Sequence, residues 1–441
     1  MSNKNKAIAT KDEAKAALVP KLRFPEFRGA GDWTTETLGS LARISTEKVG
    51  DKTCIPMSIT SGVGLVSQMD KFGRIIAGSS YANYLLLKKD DFAYNKSATK
   101  EYPEGFIALY CGNQLAAVPN SIFTCFRING ESTVPQYLNY LFLGNLHGRW
   151  LRKFIEVGAR AHGSLSISED DFLALPVPLP SGKKSVAEQQ KIAECLSSVE
   201  DVIAAQARKV DALKTHKKGL LQQLFPREGE TQPRLRFPEF QNAGEWKEFE
   251  LGQCLEKVID YRGKPPPKSE AGVPLITAKN VRFGWLDMTA DEYIEADAYD
   301  SWMTRGIPRV GDILFTTEAP LGNVAMFPSE GRFALGQRII TLRSKATKCV
   351  PEFIFQSLLG PEMQRTIEFH STGSTAKGIK SSVFVTLSFR HPSVPEQQRI
   401  AACLSSLDAL ITAATQKHEF LKRHKRGLMQ QLFPSSVEVD A

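Results

Sequence analysis

Several features that organise small or secreted proteins are missing from this sequence. No two cysteines stand in a CxxC spacing, and no run of about 18 apolar residues occurs in the chain. The cysteine count is odd, so a disulfide framework or a zinc ribbon is not expected, and we predict no metal site. Without a long apolar run no membrane span is expected, and the N-terminus lacks the apolar core of a secretory signal. Free thiols fit a reducing cytoplasm, where we place the protein.

Sequence motifs of catalysis are missing as well. There is no NPPY or DPPY motif of a methyltransferase, no GxGxxG after a predicted strand and no cluster typical of a nuclease. The stretch GSTAKGIKS (373–381) resembles a phosphate-binding loop, but Ile379 stands where such a loop requires a lysine after its second glycine. The matching stretch GARAHGSLS (158–166) also lacks the lysine. We therefore predict a non-catalytic chain that holds no cofactor of its own.

Length and charge limit what remains. A chain of 441 residues is too long for a single ordinary core and indicates several domains. An apolar content of 42% is normal for a globular protein. The formal net charge of +8 favours a polyanionic partner such as nucleic acid, although charge alone does not establish one.

The chain contains two copies of one frame. The matched pairs are LRFPEFRGAGDWTTETLG (22–39) with LRFPEFQNAGEWKEFELG (235–252), EQQKIAECLSS (188–198) with EQQRIAACLSS (396–406), and HKKGLLQQLFP (216–226) with HKRGLMQQLFP (424–434). The stretches between these matched ends are almost unrelated. A protein that keeps its frame and varies its contents presents two different domains on one scaffold.

The repeat predicts two large domains and two long helices. The predicted segments are a mobile lead-in (1–20), a first domain (21–184), a first helix (185–226), a linker (227–234), a second domain (235–392), a second helix (393–434) and a tail (435–441). Apolar runs predict strands at PLITA (274–278), DILFTT (312–317) and RIITLR (338–343). Segments 134–156 and 350–369, which both begin with Val-Pro, each predict one late helix. The domains are therefore expected to be globular and α+β, related by a pseudo-twofold axis.

Both long helices carry a coiled-coil pattern. Ser185 with Glu188, and Ser393 with Glu396, predict capping boxes at the two helix starts. Apolar residues then recur in alternating steps of about four and three. The predicted seam comprises Ile192, Leu196, Val199, Ile203, Leu213, Leu220, Leu224, Ile400, Leu404, Leu407, Ile411, Leu421, Leu428 and Leu432. Its polar interruptions are Gln206, Lys217, His418 and Lys425.

Neither helix can bury its seam alone, so we predict that the two pair with each other. Each would be about 60 Å long at about 1.5 Å per residue. A linker of about eight residues cannot span that distance, because an extended residue covers at most about 3.6 Å. An antiparallel two-helix coiled coil that separates the two domains is therefore expected, and its length would set the distance between them.

The repeated frame resembles the specificity subunit of type I restriction–modification systems. The resemblance covers nearly the whole chain and rests on WxxxxLG, a variable domain, LPVPLPSGKKSVAEQQKIAECLSS or LSFRHPSVPEQQRIAACLSS, and the helix ends GLLQQLFP or GLMQQLFP. The second copy departs from the family at SFRHPSVP, where a run like PVPLP is usual.

The resemblance implies two target-recognition domains that each read one half of a split, asymmetric site on double-stranded DNA. It also implies two methyltransferase subunits docked on the spacer helices, with restriction–translocation subunits added for cleavage. S-adenosylmethionine, ATP and Mg²⁺ would be bound by those partners and not by this chain. Duplex DNA has a local dyad, so the half-sites are expected on one face, about one turn of about 10 base pairs apart.

Candidate DNA-binding residues stand in basic or glycine-containing loops near predicted strand ends. These loops are DYRGKPPPKS (260–269), ITAKNV (276–281), FAYNKSATKEY (92–102), which corresponds to LFTTEAPLGN (314–323), and the two glycine stretches. Arginine and lysine can bind guanine or phosphate, and asparagine can bind adenine. The predicted contacts are Asn95, Lys96, Ser97, Lys100, Arg160, His162, Arg262, Lys264, Lys268, Lys279, Asn280, Thr375, Lys377 and Lys380. Ordinary solvated or strand-connecting loops are the alternative for each.

Two further assignments stay open. The lysine- and histidine-rich helix ends (208–218 and 417–426) could contact DNA, form a solvated face or dock the methyltransferase subunits. The chain is too short and too poor in motifs for a fused restriction–methylation enzyme, whereas a coiled-coil adaptor with two ligand-binding heads is a remaining alternative. Co-purification as a methylating complex would separate that adaptor from a specificity subunit.

Overall fold

Two contact-defined units make up the chain. The computed structural model describes residues 18–434 except 61, 156–164, 264, 290–291, 328–330 and 375, so most of the predicted lead-in and the whole tail lie outside the described residues. Unit 1 consists of Met1–Ala205 with His418–Ala441, and unit 2 of Gln206–Lys417. Each unit combines one mixed domain with the start of its own long helix and the end of the other copy's helix. The predicted domain bounds and the pseudo-twofold relation stay predictions.

The domain of unit 1 consists of short strands and short helices, followed by one long helix. In chain order these are β1 (Thr34–Thr37), α1 (Leu38–Leu41), β2 (Ala42–Ser45), β3 (Ile55–Thr60), β4 (Gly64–Ser67), α2 (Gln68–Phe72), β5 (Leu85–Leu87), β6 (Phe92–Asn95), β7 (Phe106–Leu109), β8 (Ala116–Val118), β9 (Phe123–Ile128), α3 (Pro135–Leu143), α4 (Leu146–Leu151), α5 (Glu169–Leu173), β10 (Pro176–Leu179) and α6 (Ser185–Leu224). Two four-stranded sheets have the orders β2-β9-β6-β7 and β4-β3-β8-β5. Aromatic side chains pack on one another at the first sheet, where Phe92 and Phe126 stack with ring centroids 4.9 Å apart.

Unit 2 repeats this plan with different residues. Its elements are β11 (Lys247–Glu250), β12 (Leu255–Asp260), β13 (Lys268–Ser269), β14 (Val273–Ile276), β15 (Val281–Arg282), β16 (Trp285–Leu286), β17 (Tyr293–Ile294), α7 (Tyr299–Trp302), β18 (Ile313–Thr316), β19 (Val324–Met326), β20 (Ala334–Leu335), β21 (Ile339–Ser344), α8 (Pro351–Leu359), α9 (Pro361–Phe369), α10 (Ser381–Phe384), β22 (Ser388–His391) and α11 (Val394–Leu432). The sheet orders are β12-β21-β18-β19 and β13-β17-β14-β20. β12 follows the WxxxxLG turn and lies at one edge of its sheet, as β2 does in unit 1. The predicted strands at 274–278, 312–317 and 338–343 are confirmed as β14, β18 and β21.

The late helix predicted for each domain is two helices, so the prediction of a continuous helix was wrong in both copies. In unit 1 the break lies at Gly144 and Asn145, and Asn145 adopts the left-handed φ of 61°. In unit 2 the break lies at Gly360, which has an extended ψ of 147°. A proline disfavours the helical conformation of the residue before it, so Pro361 ends α8 and begins α9.

The long helices run antiparallel inside unit 2. α6 has 40 residues and α11 has 39, close to the predicted length. The side chain of Gln206 donates a 2.9 Å hydrogen bond to the carbonyl of Ala414. Farther along α6, Lys217 pairs with Asp408 at 2.6 Å. Residue numbers on α11 fall as those on α6 rise, and two polar interruptions of the seam serve as cross-helix contacts.

The same direction holds inside unit 1. Leu196 and Leu432 share one core cluster, and Glu200 pairs with Lys425. All of the predicted seam residues are buried or half-buried. The antiparallel pairing therefore stands within each unit, and the seam is covered by the partner helix and by the adjoining domain.

A buried anchor joins the two repeated phrases of each copy. In unit 1 the guanidinium of Arg23 donates to both carboxylate oxygens of Glu188 at 2.7 and 2.8 Å, and the indole of Trp33 donates to the same carboxylate at 3.3 Å. Unit 2 repeats this at 2.7, 2.7 and 3.4 Å with Arg236, Glu396 and Trp246. We call each set the Arg–Glu–Trp anchor. Both glutamates therefore bind an arginine and a tryptophan instead of forming the predicted capping boxes.

The glutamine after each anchor glutamate positions the domain on its helix. The side-chain oxygen of Gln189 accepts the backbone N–H of Val134 at 2.9 Å, and Gln397 accepts that of Val350 at the same distance. These bonds satisfy a donor at the start of α3 and of α8. The repeat keeps LRFPEF, the tryptophan and EQQ together because these phrases contact one another.

The repeated LFP phrase places each helix end in a core. Leu432 and Phe433 are buried in unit 1, where the ring centroids of Phe433 and Tyr137 are 5.4 Å apart. In unit 2 the ring centroid of Phe225 lies 6.1 Å from that of Trp246 and 5.3 Å from that of Phe353. Each domain core therefore includes a helix end that belongs to the other copy of the repeat.

Candidate DNA-binding surfaces

One end of the first sheet of unit 2 gathers several candidate loops. β12 and β18 end there, opposite the start of β21, and β19 begins there. The glycine stretch reaches the same place, because the N–H of Ile379 donates to the carbonyl of Thr317 at 2.9 Å. We call this sheet end with its loops (260–263, 316–324, 337–339 and 376–381) the loop edge of unit 2.

Arg262 is held in position at the loop edge. Its guanidinium donates to the Asp260 carboxylate at 2.7 Å and to the hydroxyl of Ser381. Partial burial raises the pKa of the Asp260 carboxyl, but the hydrogen bonds from Arg262 outweigh this effect and hold the pKa below its usual value. The Arg262 side chain stays 34% exposed. A guanidinium oriented by a carboxylate and open to solvent suits contact with a base or a phosphate.

Two candidate lysines lie on the same loop edge. Lys377 pairs with Glu368, and this hydrogen bond lowers the pKa of the Glu368 carboxyl. Lys380 is exposed directly before α10. Both ammonium groups stand on solvated loops and suit contact with phosphate.

Sequence reasoning missed two arginines near Arg262. Arg305 donates to the backbone carbonyls of Asp260 and Arg262 at 2.6 and 2.9 Å. Arg338 pairs with Glu318 at 3.3 Å and stands directly before β21. The position of Arg338 at the start of a predicted strand was a usable signal, whereas nothing in the sequence brings Arg305 next to the YRGK phrase.

An exposed aromatic hairpin adjoins the loop edge and was also missed. Phe283 and Trp285 at the turn between β15 and β16 are 53% and 56% exposed. The hairpin is fixed to the loop edge because Asn323 donates to the carbonyl of Val281 at 2.9 Å, and Gly284 donates to that of Val324 at 2.8 Å. Aromatic rings beside arginines are typical of surfaces that meet nucleic acid.

Three other candidates of the second domain lie outside the loop edge. Lys268 and Lys279 both pair with Glu292 at 3.0 Å. Partial burial raises the pKa of the Glu292 carboxyl, but the hydrogen bonds from the two lysines outweigh it and lower the pKa. Asn280 is 1% exposed, and its amide binds the N–H of Thr277 and a nearby carbonyl at 2.9 Å. The buried amide of Asn280 therefore stabilises the local turn. DNA contact by Lys268, Lys279 and Asn280 stays a prediction.

Unit 1 builds a loop edge at the corresponding end of its first sheet. β6 ends at Asn95, opposite the starts of β9 and β7. The carbonyl of Lys96 accepts the N–H of Leu165 at 2.7 Å, which matches the bond between Thr317 and Ile379 in unit 2. The side chain of Asn95 accepts the N–H of Ser97 at 3.0 Å, and Lys100 is exposed. The loop edge of unit 1 comprises 95–105 and 165–167.

The remaining candidates, Arg160, His162, Lys264 and Thr375, lie outside the described residues. Their DNA contacts stay predictions.

The basic end of α11 lines a groove within unit 1. The groove has a volume of about 1660 Å³, and its lining includes Lys422, Arg423 and Arg426 of α11 and parts of the β3–β4 hairpin. Tyr140 on its wall donates a 2.8 Å hydrogen bond to Glu200, and Lys425 lies over the Tyr140 ring. This end of α11 is therefore partly engaged with the domain of unit 1, which belongs to the other copy of the repeat.

Similar proteins identify the frame. Residues 244–423 match the family model of the type I restriction modification DNA specificity domain. The chain is 25% identical over 342 residues to a protein of Methanocaldococcus jannaschii described as the MjaX specificity subunit of a type I restriction enzyme, and the match covers 76% of either chain. The chain belongs to the family of type I restriction–modification specificity subunits.

Other relatives of this specificity subunit agree. The type I restriction enzyme MjaVIII specificity subunit of M. jannaschii is 21% identical over 292 residues, which cover 65% of this chain and 68% of that protein. The crystal structure of a type I restriction–modification S subunit from M. genitalium shares the fold with a TM-score of 0.55 at 14% identity, covering 95% of this chain and 100% of that one. None of the helices that the structure describes has the length and apolar character to cross a lipid bilayer.

Family membership fixes the general role of the specificity subunit. It is the DNA-recognition component, and not the catalytic one, of a type I restriction–modification system, in which it works with the other subunits on DNA. The mixed α/β domains and the long helix α6 fit that role.

Proposed function

We propose that the loop edges of the two units are the DNA-reading surfaces of this specificity subunit, one for each half of an asymmetric bipartite site. The observation that carries the proposal is the duplication. Both units place basic loops at the same end of the same sheet, although the loop sequences are almost unrelated. Equal placement supports equal tasks, and unlike residues support unlike targets.

The side chains of the loop edge of unit 2 divide into two kinds. Arg262 is oriented by a carboxylate and a hydroxyl, and an oriented guanidinium can bind a guanine edge with two parallel hydrogen bonds. Lys377 and Lys380 stand on solvated loops and suit phosphate contacts, which add affinity without sequence preference. Phe283 and Trp285 supply apolar surface beside these charges.

Substitutions at the loop edge of unit 2 are expected to have two separable effects. Arg262→Ala should weaken binding to the cognate site by about 1–3 kcal/mol and relax the sequence preference in one half-site only. Lys377→Ala and Lys380→Ala should each weaken binding to all sequences and reduce the slope of log affinity against log salt by about 1. The measurement is equilibrium DNA binding of the methylating complex at several salt concentrations, with the site taken from methylome sequencing.

A matched control is Arg332→Ala. Arg332 pairs with Asp300 at 3.1 Å, and neither residue belongs to the loop edge. Asn95→Ala in unit 1 should relax the other half-site. If Arg262→Ala altered both half-sites equally, or if Arg332→Ala behaved like the lysine variants, the assignment of reading to the loop edges would be wrong.

The finer composition of the complex is also part of the proposal. We infer that two methyltransferase subunits dock on α6 and α11, and that restriction–translocation subunits join for cleavage. Val202 and Leu410 stand fourteen residues after Glu188 and Glu396, and they are 50% and 55% exposed on otherwise largely polar helices. A repeated exposed apolar position supports one equivalent docking place on each helix. S-adenosylmethionine, ATP and Mg²⁺ would then be bound by these partners.

Charged substitutions at the repeated apolar position are expected to remove partners one at a time. Val202→Asp and Leu410→Asp should each leave a complex with one methyltransferase subunit, and the double variant should bind none, because a desolvated carboxylate opposes docking. Native mass spectrometry of the co-expressed complex reports the stoichiometry. Ile307→Asp is the control, because Ile307 is equally exposed, at 56%, but lies in the domain of unit 2. Full complexes from the double variant would contradict this docking place.

A further inference from the structure

Three residues of unit 2 that are distant in sequence bring metal-ligating atoms together. The sulfurs of Cys254 and Cys349 and a ring nitrogen of His391 lie within 4.8 Å of one another. Both cysteines are buried, and His391 is half-buried. Ligand atoms around a tetrahedral zinc ion, with bonds of about 2.0–2.3 Å, are about 3.5–3.8 Å apart. Small side-chain rotations would therefore close this group on an ion.

The first copy of the repeat shows what the same positions do with other residues. Leu41 ends the turn LGSL as Cys254 ends LGQC, and Thr133 precedes Val-Pro as Cys349 does. Leu179 pairs with the first residue of β1 as His391 pairs with the first residue of β11. Leu41 and Leu179 pack in the core of unit 1. Two apolar packing positions and one buried threonine of the first copy are thus three ligand-type residues in the second.

The imidazole of His391 is oriented for ligation. Its Nδ1 lies 3.0 Å from the carbonyl of Pro392 and 3.2 Å from the side-chain nitrogen of Gln397. The ring stacks on Phe249 with centroids 4.8 Å apart. Because Nδ1 already lies beside these two partners, Nε2 would be the ligating nitrogen. Metal-bound histidines commonly have their other ring nitrogen fixed by a backbone carbonyl in this way.

We propose that Cys254, Cys349 and His391 bind a zinc ion that fastens three segments of unit 2 together at the start of α11. Two thiolates and an imidazole favour zinc over magnesium or calcium. Within the described part of the chain the group has three ligands of this kind, so water takes the fourth position from the half-buried side of His391. The ion joins the turn before β12, the segment before α8 and the last residue of β22.

Sequence reasoning predicted no metal site because it searched for paired cysteine spacings. The three ligands come from three separate segments and have no short spacing between them. Only the fold brings them together. The N–H of Lys345 donates to the carbonyl of Cys254 at 2.8 Å, and the carbonyl of Lys345 accepts the N–H of Cys349 at 3.0 Å.

The test is metal analysis of the full-length chain, expressed without a histidine tag and purified without chelators. Inductively coupled plasma mass spectrometry should find about one zinc per chain in the wild type. Cys349→Ser should lose at least nine tenths of it, and Cys403→Ser, at a half-buried cysteine of α11, should keep it. Replacement by cobalt should give the charge-transfer absorption of thiolate ligation in the wild type and in Cys403→Ser only.

A folding control keeps the test decisive if Cys349→Ser is insoluble. The triple variant Cys254→Leu, Cys349→Thr, His391→Leu introduces the residues of the first copy and should fold without zinc. A strong chelator should lower the thermal midpoint of the wild type and leave that of the triple variant unchanged, because only the wild type gains stability from the ion. A zinc-free wild type would overturn the proposal, whether its two thiols were free or joined in a disulfide, and so would zinc that persists in the triple variant.

Discussion

Glu396→Gln is expected to lower the free energy of unfolding of unit 2 by about 3–5 kcal/mol, because it leaves a buried guanidinium without its counter-charge. The side chains of Arg236 and Glu396 are 8% and 1% exposed, so water cannot replace the carboxylate. The bonds from Arg236 to the carbonyls of Ala243 and Gly244 remain, but they do not neutralise the charge. Urea denaturation followed by circular dichroism measures the loss, and Glu188→Gln should produce an equal one in unit 1.

The matched control for the anchor is Glu239→Gln. Glu239 pairs with Arg399 at 3.1 Å, but the two side chains are 47% and 54% exposed. An exposed pair of this kind contributes at most about 1 kcal/mol. The double variant Arg236→Met, Glu396→Gln should regain much of the lost stability, because it removes the unpaired charge. Equal effects of Glu396→Gln and Glu239→Gln would show that the anchor is not a buried ion pair in solution.

Inserting one heptad of seven residues into both long helices is expected to add about three base pairs to the gap between the half-sites and to leave their sequences unchanged. Seven residues lengthen a helix by about 10.5 Å, and duplex DNA rises by about 3.4 Å per base pair. Insertion after Ala205 and after Ala414 keeps the contact between Gln206 and Ala414 and preserves the heptad pattern. Methylome sequencing of cells that carry the variant and its partner subunits measures the new gap.

A shorter insertion serves as the comparison. Four residues, about one helical turn, placed within 199–213 of α6 alone should also change the gap and keep both half-sites. Substitutions that leave helix length unchanged, such as Arg332→Ala, should keep the old gap. Methylation of new base sequences at the old gap would contradict a role of the helices in spacing.

The parts of the fold that repeat in sequence were predictable from it. The seam pattern gave two helices of nearly the observed length, and the short linker required their antiparallel direction. Positional correspondence between FAYNKSATKEY and LFTTEAPLGN is confirmed, because each stretch covers the third strand in the order of its first sheet, or most of it, and the loop after that strand. Each of these inferences depends on spacing along the chain, which sequence records directly.

The parts that depend on distant contacts were not predictable. Glu188 and Glu396 looked like capping residues because the sequence does not show that an arginine more than 150 residues earlier reaches each of them. Asn280 was predicted to contact a base because the sequence does not show that its side chain is buried in a turn, where it donates to the carbonyl of Asp287. Arg305 and the hairpin with Phe283 and Trp285 join the loop edge only through tertiary hydrogen bonds.

The burial of Phe225 and Phe433 has a consequence for how such chains can be divided and recombined. A fragment with only one copy of the repeat would lack the phenylalanine that completes its own core, since that residue lies at the far end of the sister copy. Such a fragment could regain a full core only by exchanging helix ends with a second fragment. Conversely, the rings of Tyr137 and Phe353, which meet the incoming phenylalanines, lie in the variable interiors, so we expect a replaced interior to be accepted only where it keeps an aromatic ring at that place.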